Sequence, residues 1–259
     1  MKTKSDTVVS FVGNFKYLYK NFSRIYSELT TNGNYKGDIL IITSLFAPTL
    51  LIKELRRKNI HILRFKKIKF NKNAEHSLSN LNKKPNRHTT KNFQWHKLYL
   101  FHKNIKKWKY IFYLDINMTI HDDINELLNI KPTNKLLARE DGYPEFKWKL
   151  KSQFDSSQTL FRKLSKNYNL ENTKYFQTGL MFFDTSIICS NTFHEIVSLV
   201  NKYPISVTNE QGILNLYFID EKNIYESLVY ELNGKITYFY WKLANKKVMI
   251  TKAKSEQLK

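Results

Sequence analysis

Cysteine is almost absent from this sequence of 259 residues, which contains only Cys189. A single cysteine excludes a disulfide bond within the chain, and it excludes a zinc site built from several cysteines of one chain. Because Cys189 lies in an apolar run, the sequence predicts that it is a small buried hydrophobic residue.

Long hydrophobic stretches are also missing. A helix that spans a bilayer needs about 20 consecutive, mostly apolar residues, and no such stretch occurs in the sequence. The first residues lack the apolar segment of a secretory signal peptide. These absences predict a cytoplasmic protein without a transmembrane segment, or a protein of the host cytoplasm or the virion if the source is a virus.

Acidic residues are few, with 22 Asp and Glu against 43 Lys and Arg and a formal net charge of +21. One interpretation is a polyanionic partner, such as nucleic acid, an anionic membrane or a phosphate-bearing substrate. The other is the composition of an AT-rich genome, such as that of a large DNA virus or a protist, since glycine (7) and proline (5) are scarce while lysine and asparagine abound. We favour genome composition, although a basic surface would still attract an anionic substrate.

Strand-like and helix-like segments alternate in the first part of the chain. They occur in turn at residues 7–12, 15–29, 39–43, 48–58 and 60–65. Short apolar runs are typical of buried strands, and apolar residues three and four apart are typical of helices. This β-α-β-α-β order predicts an α/β fold with a parallel sheet and helices on both faces. The basic, asparagine-rich residues 66–91 are predicted to form a long surface loop.

The rest of the chain continues with similar segments. Helices are predicted at residues 92–106, within 120–128, and at 193–203 and 209–218. Strands are predicted at 136–138 and 180–184 and again from Tyr225 onward, before a basic tail that includes Lys252. Since no repeat and no Pro- or Gly-rich linker interrupts the sequence, we expect one domain over residues 1–259.

The most informative segment is the apolar run at residues 110–114, which ends in Asp115-Ile116-Asn117. Residues two apart lie on the same side of an extended chain, and open α/β sheets bind ligands at the carboxyl ends of their strands. A carboxylate at that edge suits a hard divalent cation, which in turn suits a diphosphate. Taken alone, Asp115 could simply end a strand, because Asp and Asn are common in loops.

Four segments occur in an order that points to one family of proteins. Their central residues are Lys97-Leu98, Asp115-Ile116-Asn117, Gln177-Thr178-Gly179 and Glu210-Gln211. Together they resemble the glycogenin-like transferases, glycosyltransferase family 8, which have the GT-A fold. The similarity extends from the first strand to about Phe218, and the residues after Phe218 match poorly.

The resemblance implies both a fold and a reaction. The fold would be a single Rossmann-like α/β domain with a mixed, mostly parallel central sheet and helices on both faces. Residues 1–130 would form its nucleotide-binding half, and residues 131–259 its sugar and acceptor half. The reaction would be transfer of a sugar from a nucleotide-diphosphate donor, most simply a UDP-sugar, to a hydroxyl of a protein, glycan or lipid acceptor, with retention of anomeric configuration.

The resemblance also implies roles for individual residues. Those expected to bind the nucleotide sugar are Val12, Gly13, Asn14, Lys97, Asp115, Ile116, Asn117, Gln177, Thr178 and Gly179. Asp115 and Asn117 would also hold Mn²⁺ or Mg²⁺. The expected catalytic residues are Gln211, which would lie beneath the sugar as a stabiliser or weak nucleophile, and Asp141 and Glu210, which would orient sugar hydroxyls.

Two features of the sequence depart from the family pattern. Asn117 replaces a second aspartate and brings no charge, and no histidine follows His194, although the family uses a late histidine as a third metal ligand. Metal is therefore expected to bind weakly or to be dispensable, with basic residues in its place. The alternatives to an active enzyme are a non-catalytic sugar-nucleotide-binding or structural protein and a basic nucleic-acid-binding protein. His96, His102 and His121 are expected at the surface or hydrogen-bonded, without metal.

Overall fold

The central sheet determines where ligands can approach this protein. The computed structural model describes residues 6–82, 89–141, 148–239 and 247–252. For Asn82 and residues 89–92 it describes the backbone alone. Within these residues the sheet has seven strands. They are β1 (Thr7–Val12), β2 (Asp38–Ser44), β3 (Ile60–Phe65), β4 (Tyr110–Leu114), β6 (Leu136–Glu140), β7 (Phe176–Asp184) and β8 (Tyr225–Ser227); the short β5 (Thr119–Ile120) lies outside it.

The strand order across the sheet is β3-β2-β1-β4-β7-β6-β8. The first four strands in this order are parallel. Strand β7 runs antiparallel to both β4 and β6, and β8 is parallel to β6. The prediction of a mixed, mostly parallel sheet is therefore confirmed, and the carboxyl ends of β1 and β4 lie side by side at one edge.

Helices cover both faces of the sheet. They are α1 (Phe15–Thr31), α2 (Lys72–Asn82), α3 (Asn125–Leu128), α4 (Thr159–Asn167), α5 (Thr192–Lys202) and α6 (Glu210–Asn215). Short 3₁₀ segments occupy Thr49–Leu51, Lys53–Arg56, Thr89–Phe101, Lys103–Ile105, Leu150–Gln153 and Thr185–Ile187, and a π-helical turn, Leu216–Glu221, continues α6.

Two hydrophobic cores lie on opposite sides of the sheet. In β4, Ile111 and Tyr113 belong to one core, and Phe112 and Leu114 belong to the other. Helix α1 packs into the core that contains Phe112, whereas α5 and the segment Thr89–Phe101 pack into the core that contains Tyr113. Because both faces of β4 are covered, all of its residues are buried, which explains its uninterrupted apolar sequence.

A second, smaller sheet connects the last part of the chain to the end of β4. It contains β5, β9 (Glu231–Leu232), β10 (Lys235–Phe239) and β11 (Val248–Thr251), in the order β5-β11-β10-β9. Strand β11 pairs antiparallel with β5, so that Thr251 lies opposite Thr119. This pairing places the end of β11 beside the loop that carries Asp115.

Several predicted elements differ from the observed ones. The predicted loop at residues 66–91 contains α2, whose Leu78 and Leu81 join a core, so that prediction is wrong for this part; residues 83–88 lie outside the described residues. The predicted helices at 48–58 and 92–106 are 3₁₀ segments. The short helix predicted within 120–128 is confined to α3, and β5 ends at Ile120.

Cys189 is exposed, so the prediction that it is a buried hydrophobic residue is wrong. It lies in the connection between the 3₁₀ turn Thr185–Ile187 and α5, where its backbone N–H donates to Thr192 Oγ1 at 2.9 Å. A connection that leads into a helix runs over the surface, although the residues before it are apolar. Within the described ranges, no helix is both long and apolar enough to cross a membrane.

Candidate active site

A cleft of about 200 Å³ opens at the carboxyl ends of β1 and β4. Its walls include seven of the residues expected to bind a nucleotide sugar: Val12, Gly13, Asn14, Lys97, Asp115, Ile116 and Asn117. Tyr17, Phe93, Gln94, Tyr113 and Lys252 complete the lining. The sequence prediction and the cavity therefore coincide at the edge of the sheet where α/β folds bind ligands.

Strand β1 and helix α1 form one wall of this cleft. The strand ends at Val12, and the N–H of Gly13 donates to the carbonyl of Ile42 at 3.1 Å. The side chain of Asn14 caps α1, since its Oδ1 accepts from the N–H of Tyr17 at 2.9 Å. Asparagine is a favoured residue at this position of a helix, so the sequence itself fixes where the strand turns into the helix.

Asp115 lies directly after β4, where its backbone N–H donates to the carbonyl of Gly179 at 2.8 Å. Both of its carboxylate oxygens have partners: Oδ1 accepts from the hydroxyl of Tyr113 at 2.6 Å, and Oδ2 lies 2.7 Å from Lys252 Nζ. Burial alone would raise the pKa of Asp115, but the charges of Lys252 and Lys97 outweigh burial and hold that pKa below its usual range. The carboxylate is therefore ionised at neutral pH.

Lys97 connects Asp115 to a second acid. Its side chain is 8% exposed, and its Nζ lies 3.2 Å from Asp115 Oδ1 and 2.7 Å from Glu210 Oε1. It also donates to the carbonyl and the hydroxyl of Thr178, each at 3.2 Å. Burial would lower the pKa of Lys97, yet the two carboxylates outweigh burial and raise it. Opposite charges thus alternate from Lys252 through Asp115 and Lys97 to Glu210, which we call the charge chain.

The remaining predicted residues do not line the cleft, and apart from Glu210 they lie outside the charge chain. Gln177, Thr178 and Gly179 are part of β7, which is longer than the predicted strand at residues 180–184. The N–H of Thr178 donates to Gln211 Oε1 at 3.1 Å. Gln177 Nε2 donates to Asp141 Oδ1. The hydroxyl of Thr178 donates to Glu210 Oε1 at 3.3 Å. The structure thus links all three predicted catalytic residues, Asp141, Glu210 and Gln211, directly to Gln177 or Thr178.

Gly179 marks a close approach between β7 and the Asp115 loop. A Cβ at this position would lie 2.6 Å from Met118 Cε and 3.6 Å from Asp115 Oδ2. A side chain here would displace Met118, so the glycine allows β7 to pack closely against the loop that follows Asp115.

Several residues of this region were missed by sequence reasoning. Lys252 was placed only in a basic tail, although it reaches Asp115. Gln153 accepts from Gln211 Nε2 at 2.9 Å, and Tyr238 donates to Gln177 Oε1 at 2.9 Å. Among these residues, only the position of Tyr113 could be predicted from the sequence. It lies two residues before Asp115, so both side chains lie on the same side of the strand.

His96 is buried next to the site and stays neutral. Its ring stacks on Phe93 with centroids 4.0 Å apart, and burial lowers the pKa of His96 to about 4. His102 Nδ1 accepts from the N–H of Asn104, and His121 contacts Thr251 Oγ1. The described residues contain no group of three or more His, Cys, Asp or Glu side chains that could hold a metal ion.

The buried His96 predicts a specific dependence of stability on pH. Between about pH 6.5 and pH 4 the unfolded chain binds a proton at His96 that the folded protein does not, so stability falls as the pH falls. At about 1.4 kcal/mol per pKa unit, the loss attributable to His96 reaches roughly 3 kcal/mol at pH 4. Urea unfolding of the wild type and of His96→Phe at pH 7, 5.5 and 4 measures this loss of stability. We expect the variant to lose less stability than the wild type, and parallel losses would contradict this assignment.

Comparison with solved structures defines the fold. The galactosyltransferase LgtC, solved with donor and acceptor sugar analogues, aligns with a TM-score of 0.59 at 14% identity over 85% of this chain and 72% of its own. An active-site variant of LgtC aligns with a TM-score of 0.62 at 12% identity over 94% of this chain and 86% of its own. Mouse xyloside xylosyltransferase 1 aligns with a TM-score of 0.51 at 10% identity over 98% of this chain and 99% of its own. The fold is that of the GT-A glycosyltransferases.

The family follows from the sequence as a whole. The model of glycosyl transferase family 8 matches residues 8–250, and the chain belongs to this family of glycosyltransferases. The resemblance found from the four segments is thereby confirmed. The match also includes residues 219–250, which lie beyond the four segments. No curated protein matches the sequence significantly.

Enzymes of this family with the GT-A fold generally use a divalent metal, so we tested whether Asp115 and Asn117 suit one. Asp115 is the only carboxylate that lines the cleft in the described residues, and Lys97 and Lys252 lie within 3.2 Å of its two oxygens. Asn117 contributes no charge. A divalent cation bound here would face two ammonium groups at short range, where like charges repel strongly. The residues present do not fit a divalent-cation site.

Proposed function

We propose that this glycosyltransferase moves a sugar from a nucleotide-diphosphate donor, a UDP-sugar, to a hydroxyl acceptor with retention of anomeric configuration. The observation that carries the proposal is the charge chain, which begins in the cleft at the ends of β1 and β4 and runs to Glu210 beside Gln211. A site that binds a diphosphate at one end and a sugar at the other needs cations next to the phosphates and polar groups next to the sugar.

The donor would lie across the cleft from β1 to β7. Val12, Gly13 and Asn14 would hold the base and ribose, because they form the wall at the end of β1. Lys97 and the segment Asp115-Ile116-Asn117 would contact the diphosphate. Gln177, Thr178 and Gly179 would border the sugar.

The catalytic assignments rest on the contacts that hold each side chain. The amide of Gln211 is fixed at both ends, by the N–H of Thr178 and by Gln153 Oε1 at 2.9 Å. We assign it to stabilise the positive charge that develops at the anomeric carbon. Asp141, bonded to Gln177, would orient sugar hydroxyls. Glu210 is buried and bonded to Lys97, so its role would be to position that lysine.

The reaction also requires stabilisation of the leaving group. As the bond between the anomeric carbon and the diphosphate breaks, negative charge grows on the departing oxygen, and a charged hydrogen-bond donor contributes roughly 1.5–3 kcal/mol there. Lys97 is suited to this task because its ammonium is charged at neutral pH and held in place by two carboxylates.

A screen of nucleotide sugars tests the proposal. The purified protein is incubated with a panel of UDP-, GDP- and CMP-linked sugars, with and without Mn²⁺, and the released nucleotide is measured together with the thermal stability of the protein. We expect release from a UDP-sugar and stabilisation by UDP but not by uridine, which lacks the phosphates. At a UDP concentration about 100 times the dissociation constant, the free energy of unfolding should rise by roughly 2.7 kcal/mol.

The same screen can reject the proposal. If no nucleotide or nucleotide sugar changes the melting temperature and none is cleaved, the site does not bind such donors. Retention of DNA or RNA that weakens steeply with salt would then favour a nucleic-acid-binding role for the positive charge. Binding of UDP without release from any donor would instead identify a non-catalytic sugar-nucleotide-binding protein.

A further inference from the structure

The mismatch between the site and a divalent cation has a structural explanation in Lys252. On the basis of the proposed function, we propose that Lys252, together with Lys97, supplies the positive charge for the donor diphosphate, so that sugar transfer proceeds without a divalent metal. Lys252 is thereby assigned as a residue that binds the diphosphate.

The position of Lys252 is set by the second sheet. Strand β11 pairs with β5, which begins four residues after Asp115, and Lys252 is the residue that follows β11. Its Nζ lies 2.7 Å from Asp115 Oδ2, and its side chain is 24% exposed and lines the cleft. A charged group held at this point can contact a ligand in the cleft without any movement of the backbone.

The two lysines approach Asp115 at different oxygens. Lys97 lies 3.2 Å from Oδ1, from the side of Glu210, and Lys252 lies 2.7 Å from Oδ2. A metal ion coordinated by Asp115 would have to take the place of one or both ammonium groups. The carboxylate instead holds both lysines in the lining of the cleft, so that the positive charge of each lies close to a ligand bound there.

Two ammonium groups can do what the metal does for a leaving diphosphate. The bond between the anomeric carbon and the diphosphate oxygen breaks, and its electron pair stays on that oxygen. The acceptor hydroxyl oxygen forms the new bond to the anomeric carbon, and its proton passes to the diphosphate or to solvent. The positive charges of the two lysines offset the new negative charge, so that the step needs no co-reactant.

The test compares activity with and without metal in the wild type and in variants. With the UDP-sugar identified by the screen, we expect turnover in EDTA within about twofold of that in Mn²⁺. Lys252→Gln is expected to lower kcat/KM in EDTA by roughly 10- to 100-fold, as the loss of one charge-assisted contact implies. Lys252→Arg keeps the charge and should recover most of the lost kcat/KM. If Lys252 had only a structural role, the loss would not depend on whether the replacement is charged.

Lys235 provides a matched control. It is a neighbour in the second sheet, with a side chain 32% exposed and an ion pair to Asp122 of 2.7 Å, like that between Lys252 and Asp115. Lys235→Gln should leave kcat/KM unchanged. The melting temperatures of all variants without ligand show whether each one folds, and the melting-temperature rise with UDP in EDTA should disappear in Lys252→Gln only.

The outcomes separate this inference from the proposed function. If activity vanishes in EDTA and returns saturably with Mn²⁺, or if Lys252→Gln matches the wild type in EDTA, the inference is overturned while the transferase proposal stands. If no nucleotide sugar is bound or cleaved under any condition, both are overturned.

Discussion

Replacing Lys97 by methionine is expected to lower the free energy of unfolding by about 3–5 kcal/mol. Lys97 lies between two acids, and Glu210, with a side chain only 4% exposed, has its ion pair with this lysine. Methionine keeps the volume of the side chain but leaves the carboxylate of Glu210 buried without a counter-charge. Urea unfolding at pH 7 measures the effect.

A second substitution separates lost charge pairing from lost packing. In Lys97→Met combined with Glu210→Gln, no unpaired acid remains at Glu210, so we expect most of the lost stability to return. Activity should stay below that of the wild type, because the charge of Lys97 is still missing. Lys235→Met removes a more exposed ion pair and should lower the free energy of unfolding by less than about 1 kcal/mol. A loss in Lys97→Met no larger than in Lys235→Met would show that the charge chain does not stabilise the fold.

Replacing Gln211 by alanine is expected to lower kcat by about 100- to 1000-fold, the range seen when one preorganised polar group is removed from a transition state. Gln211 is held by Thr178 and Gln153, so its amide loses little freedom when the donor sugar arrives. Initial rates of UDP release at saturating donor give kcat, and a donor KM within a few-fold of the wild-type value would assign the effect to the chemical step.

Gln153 offers the corresponding positioning control. Its Oε1 accepts from Gln211 Nε2 at 2.9 Å and from Thr208 Oγ1 at 2.7 Å. Gln153→Met removes this acceptor but leaves Gln211 in place, so we expect a smaller fall in kcat, of about tenfold. Unchanged kcat in Gln211→Ala would remove this residue from the mechanism, whichever result Gln153→Met gives.

Much of the site could be read from local sequence patterns. Asp115 was found because a buried strand is uniformly apolar and the next polar residues must lie at its end. Lys97, Thr178 and Gln211 follow from the order of four segments in a known family. In the structure Lys97 is part of the charge chain, Thr178 bonds to Lys97 and Glu210, and Gln211 bonds to Thr178. Their assigned roles remain predictions.

The missed elements have physical causes. Helix α2 was read as a loop because lysine and asparagine dominate its surroundings, although Ala74, Leu78 and Leu81 lie on one face at helical spacing and are buried. The helix predicted at residues 92–106 is 3₁₀ and not α, because apolar spacing does not specify whether carbonyls bond to the third or the fourth residue onward. Cys189 was placed inside because its neighbours are apolar, whereas the connection that carries it runs over the surface.

The sequence by itself determined the α/β architecture and the place of the cleft, because strand patterns and their polar ends are local properties of the chain. The tertiary structure decided what faces Asp115 in that cleft. Lys252 is 137 residues away along the chain and reaches Asp115 only because β11 pairs with β5. Strand pairing between distant segments depends on the packing of the whole molecule, and it is this pairing that places an ammonium group beside the carboxylate expected to hold a metal.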